Sequence, residues 1–129
     1  MIHKEAIGTM KPFLKWAGGK NQLLPYIEAY YPFEDKNINK YAEPFIGGGA
    51  VLFDILSKYD LDDVYISDVN KSLINTYKSI QQNVGDVIAQ LEAYQEKFWP
   101  MEQEGRKVLF YKNRDRYNEL LSLKFTGKY

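Results

Sequence analysis

The sequence predicts an α/β protein in which one βαβ unit is followed by an all-helical segment. Two short strands are predicted at 41–45 and 64–66, and the apolar residues between them recur at helical spacing. After Asn70 the apolar spacing is helical throughout, and no third strand is predicted. Because a two-stranded sheet is marginally stable by itself, we expect the remaining strands of a larger sheet to lie beyond Tyr129.

The first element of the chain is predicted to be a helix that begins close to Pro25. Proline is tolerated in the first turn of a helix, apolar residues recur at helical spacing over 23–31, and Pro32 ends the run. Residues 1–10 show no periodicity, and we expect them to form a loose arm in which His3 is a solvated surface residue.

The βαβ unit is predicted from the turn-forming residues that lie between the two strands. Glycines at 47–49 force a turn between the first strand and a helix over 51–59, and Asp62-Asp63 marks the turn before the second strand. The two strands are expected to be parallel with a right-handed crossover. Asn70 is a helix cap, and the helices after it are predicted at 73–80, 84–98 and 108–123.

Composition bounds the class of protein. The chain has 129 residues, of which 45% are hydrophobic and 26% charged, as in globular domains, and it contains no cysteine. No apolar run approaches the roughly 18 to 20 residues that cross a bilayer, and no secretion signal is apparent. We expect a cytoplasmic protein with no membrane partner, and no residue pattern indicates a metal site.

Net charge is zero, but the charge is unevenly distributed. Residues 1–70 carry 7 Lys and 10 Asp or Glu, whereas residues 71–129 carry 10 Lys or Arg and 7 Asp or Glu. The excess of basic residues over 106–128 could bind phosphates, or it could be a solvated helix face. Its members are Arg106, Lys107, Lys112, Arg114, Arg116, Lys124 and Lys128.

The glycine turn and the carboxylate after the second strand indicate a nucleotide-like ligand. At Gly47 and Gly49 the missing side chains let a ligand approach the backbone, next to the free N–H groups of a helix start. Asp68 follows Gly47 by 21 residues, where a carboxylate can accept hydrogen bonds from a ribose. A purely structural turn and a helix cap at Asp68 are the alternatives. Leu52 replaces the third glycine of the dinucleotide fingerprint, which disfavours a nicotinamide-dependent oxidoreductase.

Three further residues are assigned to the same site. Lys20 suits a ligand carboxylate, and Trp16 suits an adenine ring or a sulfonium, although it could instead be a core aromatic residue. Glu43 is a second acceptor near the crevice, with a turn or salt-bridge role as the alternative. Residues 15–20 form a cationic loop, but it is not a Walker phosphate loop. Leu14 stands where that motif has its first glycine, and Asn21 stands where it has Ser or Thr, so ATP is disfavoured.

Three segments together resemble the Dam-like (D12) class of adenine-specific DNA methyltransferases. These segments are Pro-Phe-x-Lys-Trp-x-Gly-Gly-Lys at 12–20, Glu-Pro-Phe-x-Gly-Gly-Gly at 43–49, and Asp68-x-Asn70, with a weaker similarity over 110–118. The resemblance implies a partial Rossmann-like S-adenosylmethionine-dependent methyltransferase sheet in residues 1–70. It also implies that residues 71–129 begin a helical DNA-recognition domain.

The resemblance assigns roles residue by residue. It places Asp68 on the ribose of S-adenosylmethionine, Lys20 near the methionine carboxylate, Trp16 against the cofactor, and Phe45 to Gly49 along the cofactor floor. Double-stranded DNA is the implied partner, and we predict that Arg106, Lys107, Lys112, Arg114 and Arg116 contact its phosphates.

Members of this class carry an Asp-Pro-Pro-Tyr motif that binds the flipped adenine, and no two prolines are adjacent here. We therefore expect an N-terminal portion of such an enzyme, in which no catalytic residue is assigned and which is inactive alone. The alternative is a non-catalytic module that binds nucleotides or assembles into a homo-oligomer through its unfinished sheet edge or its helices.

Overall fold

The computed structural model of the chain describes residues 8–125, except for the side chains of residues 124 and 125. The chain divides into two compact units, with the boundary between Lys78 and Ser79. His3 and most of the predicted N-terminal arm lie outside the described residues. The assignment of residues 1–70 and 71–129 to two functional domains stays a prediction.

The first unit is a mixed α/β structure built around a two-stranded parallel sheet. A short helix, α1 (Leu24–Ile27), is flanked by single 3₁₀ turns at Asn21–Leu23 and Glu28–Tyr30. The remaining elements follow in chain order. They are α1 (Leu24–Ile27), β1 (Lys40–Glu43), α2 (Ala50–Lys58), β2 (Asp63–Ile66) and α3 (Lys71–Phe98), which continues into the second unit.

The predicted parallel pairing of the strands is confirmed, with Lys40 opposite Asp63 and Glu43 opposite Ile66. The predicted end of the first strand at residue 45 is wrong. Pro44 and Phe45 lie in a turn, and the next bond between the two segments, from Ile46 N to Ser67 O at 3.1 Å, comes one residue later than a regular parallel ladder requires. Phe45 therefore lies in the turn after β1, outside the sheet.

The first predicted helix is confirmed in position, with Pro25 in the first turn of α1 and the helical region ending before Pro32. It is fixed to α2 by polar contacts. The Tyr31 hydroxyl donates to Asp54 Oδ2 at 2.9 Å, and Lys58 Nζ binds both Asp54 and Glu28. Burial and the Asp54 carboxylate raise the pKa of Tyr31, so this phenol stays a hydrogen-bond donor.

The core of the first unit lies between α2, the sheet and the first turns of α3. Its buried members are Ile46, Leu52 and Leu73, and Ile55 is the most deeply buried large side chain. Asn70 caps α3 as predicted, because its Oδ1 accepts the Leu73 N–H at 3.0 Å. The cap and Leu73 together fix the beginning of α3 against the sheet.

The second unit is helical over its described residues, as predicted. α3 has a non-helical residue, Asn83 (φ −139°, ψ 42°), which separates the two predicted helices at 73–80 and 84–98. α4 spans Gln103–Phe125, which is longer than the predicted 108–123.

Among residues 8–125, no helix is long and apolar enough to cross a membrane.

Candidate cofactor site

An open cavity of about 1240 Å³ lies where the segment 9–24 meets the turn after β1. Its walls are contributed mainly by residues 9–24 and 45–50, and Asp68 reaches it from the end of β2. Six of the seven predicted cofactor residues line this one cavity. They are Trp16, Lys20, Phe45, Gly47, Gly49 and Asp68.

Gly47 is held at both polar groups of its backbone. Its N–H donates to Asp68 Oδ2 at 3.1 Å, and its carbonyl oxygen accepts the Tyr77 hydroxyl at 3.0 Å. Gly47 has a φ of +52°, a region that glycine occupies without strain. The turn is therefore fixed by one residue after β2 and one from α3.

The other two glycines of the turn are constrained by close neighbours. Gly49 has a φ of +83°, and a Cβ there would lie 2.6 Å from the Tyr77 hydroxyl and 2.8 Å from the Phe53 ring. A Cβ on Gly48 would lie 3.1 Å from the Trp16 side chain. The main reason that the turn requires glycine is that aromatic side chains of the protein itself pack against it.

Trp16 lies on the glycine turn and lines the cavity. The Trp16 Cδ1 atom is 3.1 Å from where a Cβ on Gly47 would stand, and the side chain is partly exposed. The loop is shaped by Gly18, which has a φ of +72°, and by a hydrogen bond from Gly19 N to Trp16 O. Trp16 thus packs on the turn and also forms part of the cavity wall.

Lys20 is positioned by Glu43, the one predicted site residue that does not line the cavity. The Lys20 ammonium donates to Glu43 Oε1 at 3.2 Å and to Phe45 O at 3.1 Å. Glu43 is only 5% exposed, and its Oε2 accepts the Tyr41 hydroxyl at 3.0 Å. A buried carboxylate needs such partners, so Glu43 fixes Lys20 at the cavity edge. Its direct contact with a ligand stays a prediction.

Asp68 is both a structural acceptor and a candidate ligand contact. Its Oδ1 accepts the Asn70 N–H at 2.9 Å, and its Oδ2 accepts the Gly47 N–H. These two backbone donors are the main reason that the pKa of Asp68 is lowered, so the side chain is a carboxylate at neutral pH. Each carboxylate oxygen can accept a further hydrogen bond, which leaves capacity for a ligand hydroxyl.

Tyr77 belongs to the site, although the sequence indicated only an apolar position of a helix. Besides binding Gly47, its ring packs edge-on against Phe13 at 5.1 Å between ring centres. Burial raises the pKa of Tyr77 to about 12, with contributions from Glu43 and Asp68. A tyrosine on the buried face of a helix needs a hydrogen-bond partner for its hydroxyl, and this requirement could have indicated from the sequence that Tyr77 belongs to a site.

The five predicted DNA-binding residues lie on α4 in the second unit. At about 100° per residue, Arg106, Lys107 and Arg114 fall within an arc of about 100°, whereas Lys112 and Arg116 lie on the other edge of the helix. Lys107, Arg114 and Arg116 have acidic partners on α4 itself. The side chains of Lys124 and Lys128 lie outside the described residues. DNA binding by this helix stays a prediction.

Comparison with known proteins identifies the family. Residues 16–127 match the family model for the D12 class N6 adenine-specific DNA methyltransferase. The chain therefore belongs to the D12 class of adenine-specific DNA methyltransferases. No solved structure gives a significant match to it.

Curated relatives agree with this assignment. The chain is 48% identical over 112 residues to the Type II methyltransferase M.MjaIII of Methanocaldococcus jannaschii, covering 85% of this chain and 39% of that protein. It is 39% identical over 95 residues to the Type II methyltransferase M1.LlaDCHI of Lactococcus lactis subsp. cremoris, covering 74% and 31%. It is 30% identical over 135 residues to a DNA adenine methylase of Serratia marcescens, covering 92% and 47%. The chain thus spans about a third to a half of the length of these relatives.

Replacing Gly49 by alanine should destabilise the first unit. The new Cβ meets the Tyr77 hydroxyl and the Phe53 ring, and the positive φ strains any side chain, so we expect a loss of about 1–3 kcal/mol in the free energy of unfolding. Urea denaturation followed by circular dichroism measures it. The matched control is Gly85→Ala, which meets no atom within 4 Å and should be neutral or stabilising by up to about 1 kcal/mol. Equal stability of the two variants would contradict the close packing at Gly49.

The lowered pKa of Asp68 predicts a pH-dependent contribution to stability. The ionised carboxylate is favoured in the folded chain, so its contribution is complete above the usual aspartate pKa of about 4. It is lost as the pH falls through the lowered pKa of the folded state. The difference in unfolding free energy between wild type and Asp68→Asn should therefore be largest near pH 6 and shrink below pH 4. Asp86→Asn, on an exposed part of α3, controls for loss of a charge, and a pH-independent difference for Asp68→Asn would contradict the prediction.

Proposed function

We propose that this chain forms the S-adenosylmethionine-binding part of a Rossmann-like DNA methyltransferase that modifies the N6 amino group of adenine. The observation that carries the proposal is the convergence of Trp16, Lys20 and Asp68 on one cavity beside the glycine turn. Membership of the D12 class supports the reaction, and it favours methyl transfer over a nicotinamide-dependent oxidation. The names of the curated relatives point to the same reaction.

The residues present fit this cofactor. Lys20 uses two of its three ammonium donors on described residues, so a third is available for the carboxylate of the methionine part. Asp68 provides acceptors for the ribose hydroxyls, and Trp16 offers an aromatic surface for the adenine or the sulfonium. A cavity of about 1240 Å³ has room for a nucleoside with an amino-acid tail.

The cofactor supplies an activated methyl group on a sulfonium when it is bound. The role of this chain is to bind and orient. Asp68 holds the ribose and Lys20 holds the carboxylate of the methionine part, while the rigid glycine turn limits how deeply the ligand enters the cavity. Acceptor binding needs groups that these residues do not supply, since no two prolines are adjacent in the 129 residues. We therefore expect the isolated chain to bind the cofactor without transferring its methyl group.

Binding of two different ligands distinguishes the proposed role of Lys20 from that of Asp68. S-Adenosylhomocysteine carries the amino-acid carboxylate, whereas 5′-methylthioadenosine has the same nucleoside without it. Lys20→Met should weaken binding of S-adenosylhomocysteine about tenfold or more while leaving 5′-methylthioadenosine nearly unchanged, because a charge-assisted hydrogen bond is lost only with the former. Asp68→Asn should weaken both ligands to a similar extent. Isothermal titration calorimetry measures the four affinities relative to wild type.

The ratio between the two ligands is the decisive quantity. Lys20→Met also leaves the buried Glu43 without its cation, and any resulting loss of fold affects both ligands alike. Lys36→Met, at an exposed turn position, is the matched control and should leave both affinities unchanged. Equal losses for the two ligands in Lys20→Met would remove Lys20 from the carboxylate contact.

The basic residues of α4 are proposed to bind DNA phosphates. Binding should be weak, independent of sequence and sensitive to salt, because each phosphate contact releases counterions. We expect Lys112→Ala with Arg116→Ala to lower the slope of log affinity against log salt by up to about 2, since each lost contact contributes about 0.9. Fluorescence anisotropy with a labelled duplex over a range of salt concentrations measures the slope.

Lys36→Ala with Lys40→Ala is the control, because it removes two exposed cations from the first unit and not from α4. The control should keep the wild-type slope. A wild-type affinity that does not change between low and moderate salt would contradict phosphate binding by this chain.

A further inference from the structure

Tyr41 does not line the cavity, yet its hydroxyl belongs to the hydrogen bonds that hold Lys20. Tyr41 and Glu43 are two residues apart on β1, so their side chains point to the same face of the sheet. The Tyr41 hydroxyl donates to Glu43 Oε2 at 3.0 Å. Burial and the Glu43 carboxylate raise the pKa of Tyr41, so the phenol stays protonated and remains a hydrogen-bond donor.

The ring of Tyr41 is held in place by an aromatic cluster. Phe33 packs edge-on against it, with 6.1 Å between the ring centres. Phe33 also packs against Tyr59 at 5.3 Å and against Tyr31 at 6.3 Å. Tyr31 is in turn hydrogen-bonded to Asp54 on α2. A ring that is packed in this way presents its hydroxyl at a defined point.

The carboxylate of Glu43 offers one oxygen to each of two partners. Oε2 accepts the Tyr41 hydroxyl, and Oε1 accepts the Lys20 ammonium at 3.2 Å. Because Glu43 is buried, loss of either partner leaves an oxygen that bulk water does not readily reach. While Oε2 is bound to Tyr41, the carboxylate cannot rotate freely, and Oε1 keeps facing Lys20. The Tyr41 hydroxyl therefore fixes the direction of the acceptor that holds the ammonium group.

We propose that Tyr41 is a positioning residue that, through Glu43, sets the affinity of the cavity for ligands with an amino-acid carboxylate. This role rests on the proposed function, because Lys20 must bind the carboxylate of the cofactor. Without the Tyr41 hydroxyl, the buried carboxylate turns toward other donors, and the ammonium group is held less precisely. A ligand that lacks the carboxylate gains nothing from the position of Lys20, so its affinity does not depend on Tyr41.

Tyr41→Phe tests the proposal, because it removes one hydroxyl group and keeps the ring that packs on Phe33. The variant should bind S-adenosylhomocysteine about three- to tenfold more weakly than wild type, and 5′-methylthioadenosine equally well. Isothermal titration calorimetry measures both affinities, and urea denaturation checks the fold. Tyr59→Phe, which removes the hydroxyl from another ring of the same aromatic cluster, is the matched control and should bind both ligands like wild type.

A double-mutant cycle with Glu43→Gln tests whether Tyr41 acts through Glu43. Because the amide has a single acceptor oxygen and no negative charge, it cannot hold Lys20 as the carboxylate does. Tyr41→Phe should therefore change the ratio of the two dissociation constants in wild type and have at most a small effect on it in the Glu43→Gln background. An equal loss for both ligands in Tyr41→Phe overturns the proposal, as does a full-sized effect in that background.

Two further measurements distinguish failure of this proposal from failure of the proposed function. A selective loss of S-adenosylhomocysteine in Lys20→Met without one in Tyr41→Phe keeps the cofactor assignment and overturns the positioning role. If wild type binds neither ligand, the cofactor assignment fails, and the positioning of Lys20 is then decided on the ligand-free chain. There, NMR relaxation of the Lys20 ammonium nitrogen should show less order in Tyr41→Phe than in wild type, and equal order overturns the role of Tyr41.

Discussion

The first unit depends on how both polar groups of the Gly47 backbone are satisfied. Asp68 accepts the N–H and the Tyr77 hydroxyl binds the carbonyl oxygen, so the turn after β1 is tied both to the end of β2 and to α3. Neither contact is local in sequence, since they join residues 21 and 30 positions apart. The turn is therefore preorganised by the protein before any ligand arrives, which lowers the entropy that binding must overcome.

The ammonium group of Lys20, at the edge of the same cavity, is preorganised in a comparable way. Glu43 is buried, and its two oxygens bind Lys20 and the Tyr41 hydroxyl. Burial of an ion pair gives little net stability, but it restricts where the ammonium group can lie. The arrangement places Lys20 over the carbonyl of Phe45, which lies in the turn directly after β1. Interruption of the strand and placement of the cation are thus consequences of one short segment.

Much of this structure could be predicted from the sequence because its signals are local. Glycines, prolines and apolar periodicity gave the two parallel strands, α2, the cap at Asn70 and the helical second unit. The carboxyl ends of parallel strands meet at one edge, which is why Gly47 and Asp68 could be assigned to one site, whereas Trp16 was assigned through the family resemblance. A salt-bridge role for Glu43 was among the alternatives, but its partner Lys20 and the bond from Tyr77 to Gly47 could not be predicted, because they depend on side-chain directions across tertiary contacts. The distribution of basic residues around α4 required knowing that the helix is continuous from Gln103.

The close packing of Trp16 on the glycine turn changes how those glycines are to be understood across related chains. Space at Gly47 is occupied by the indole of the same molecule, since a Cβ there would lie 3.1 Å from Trp16 Cδ1, so the absence of a side chain is one half of an internal fit. A family member with alanine at this position would need a smaller residue in place of the tryptophan, or a displaced loop. The two positions should consequently vary together during evolution, and a lone change at either one should be rare.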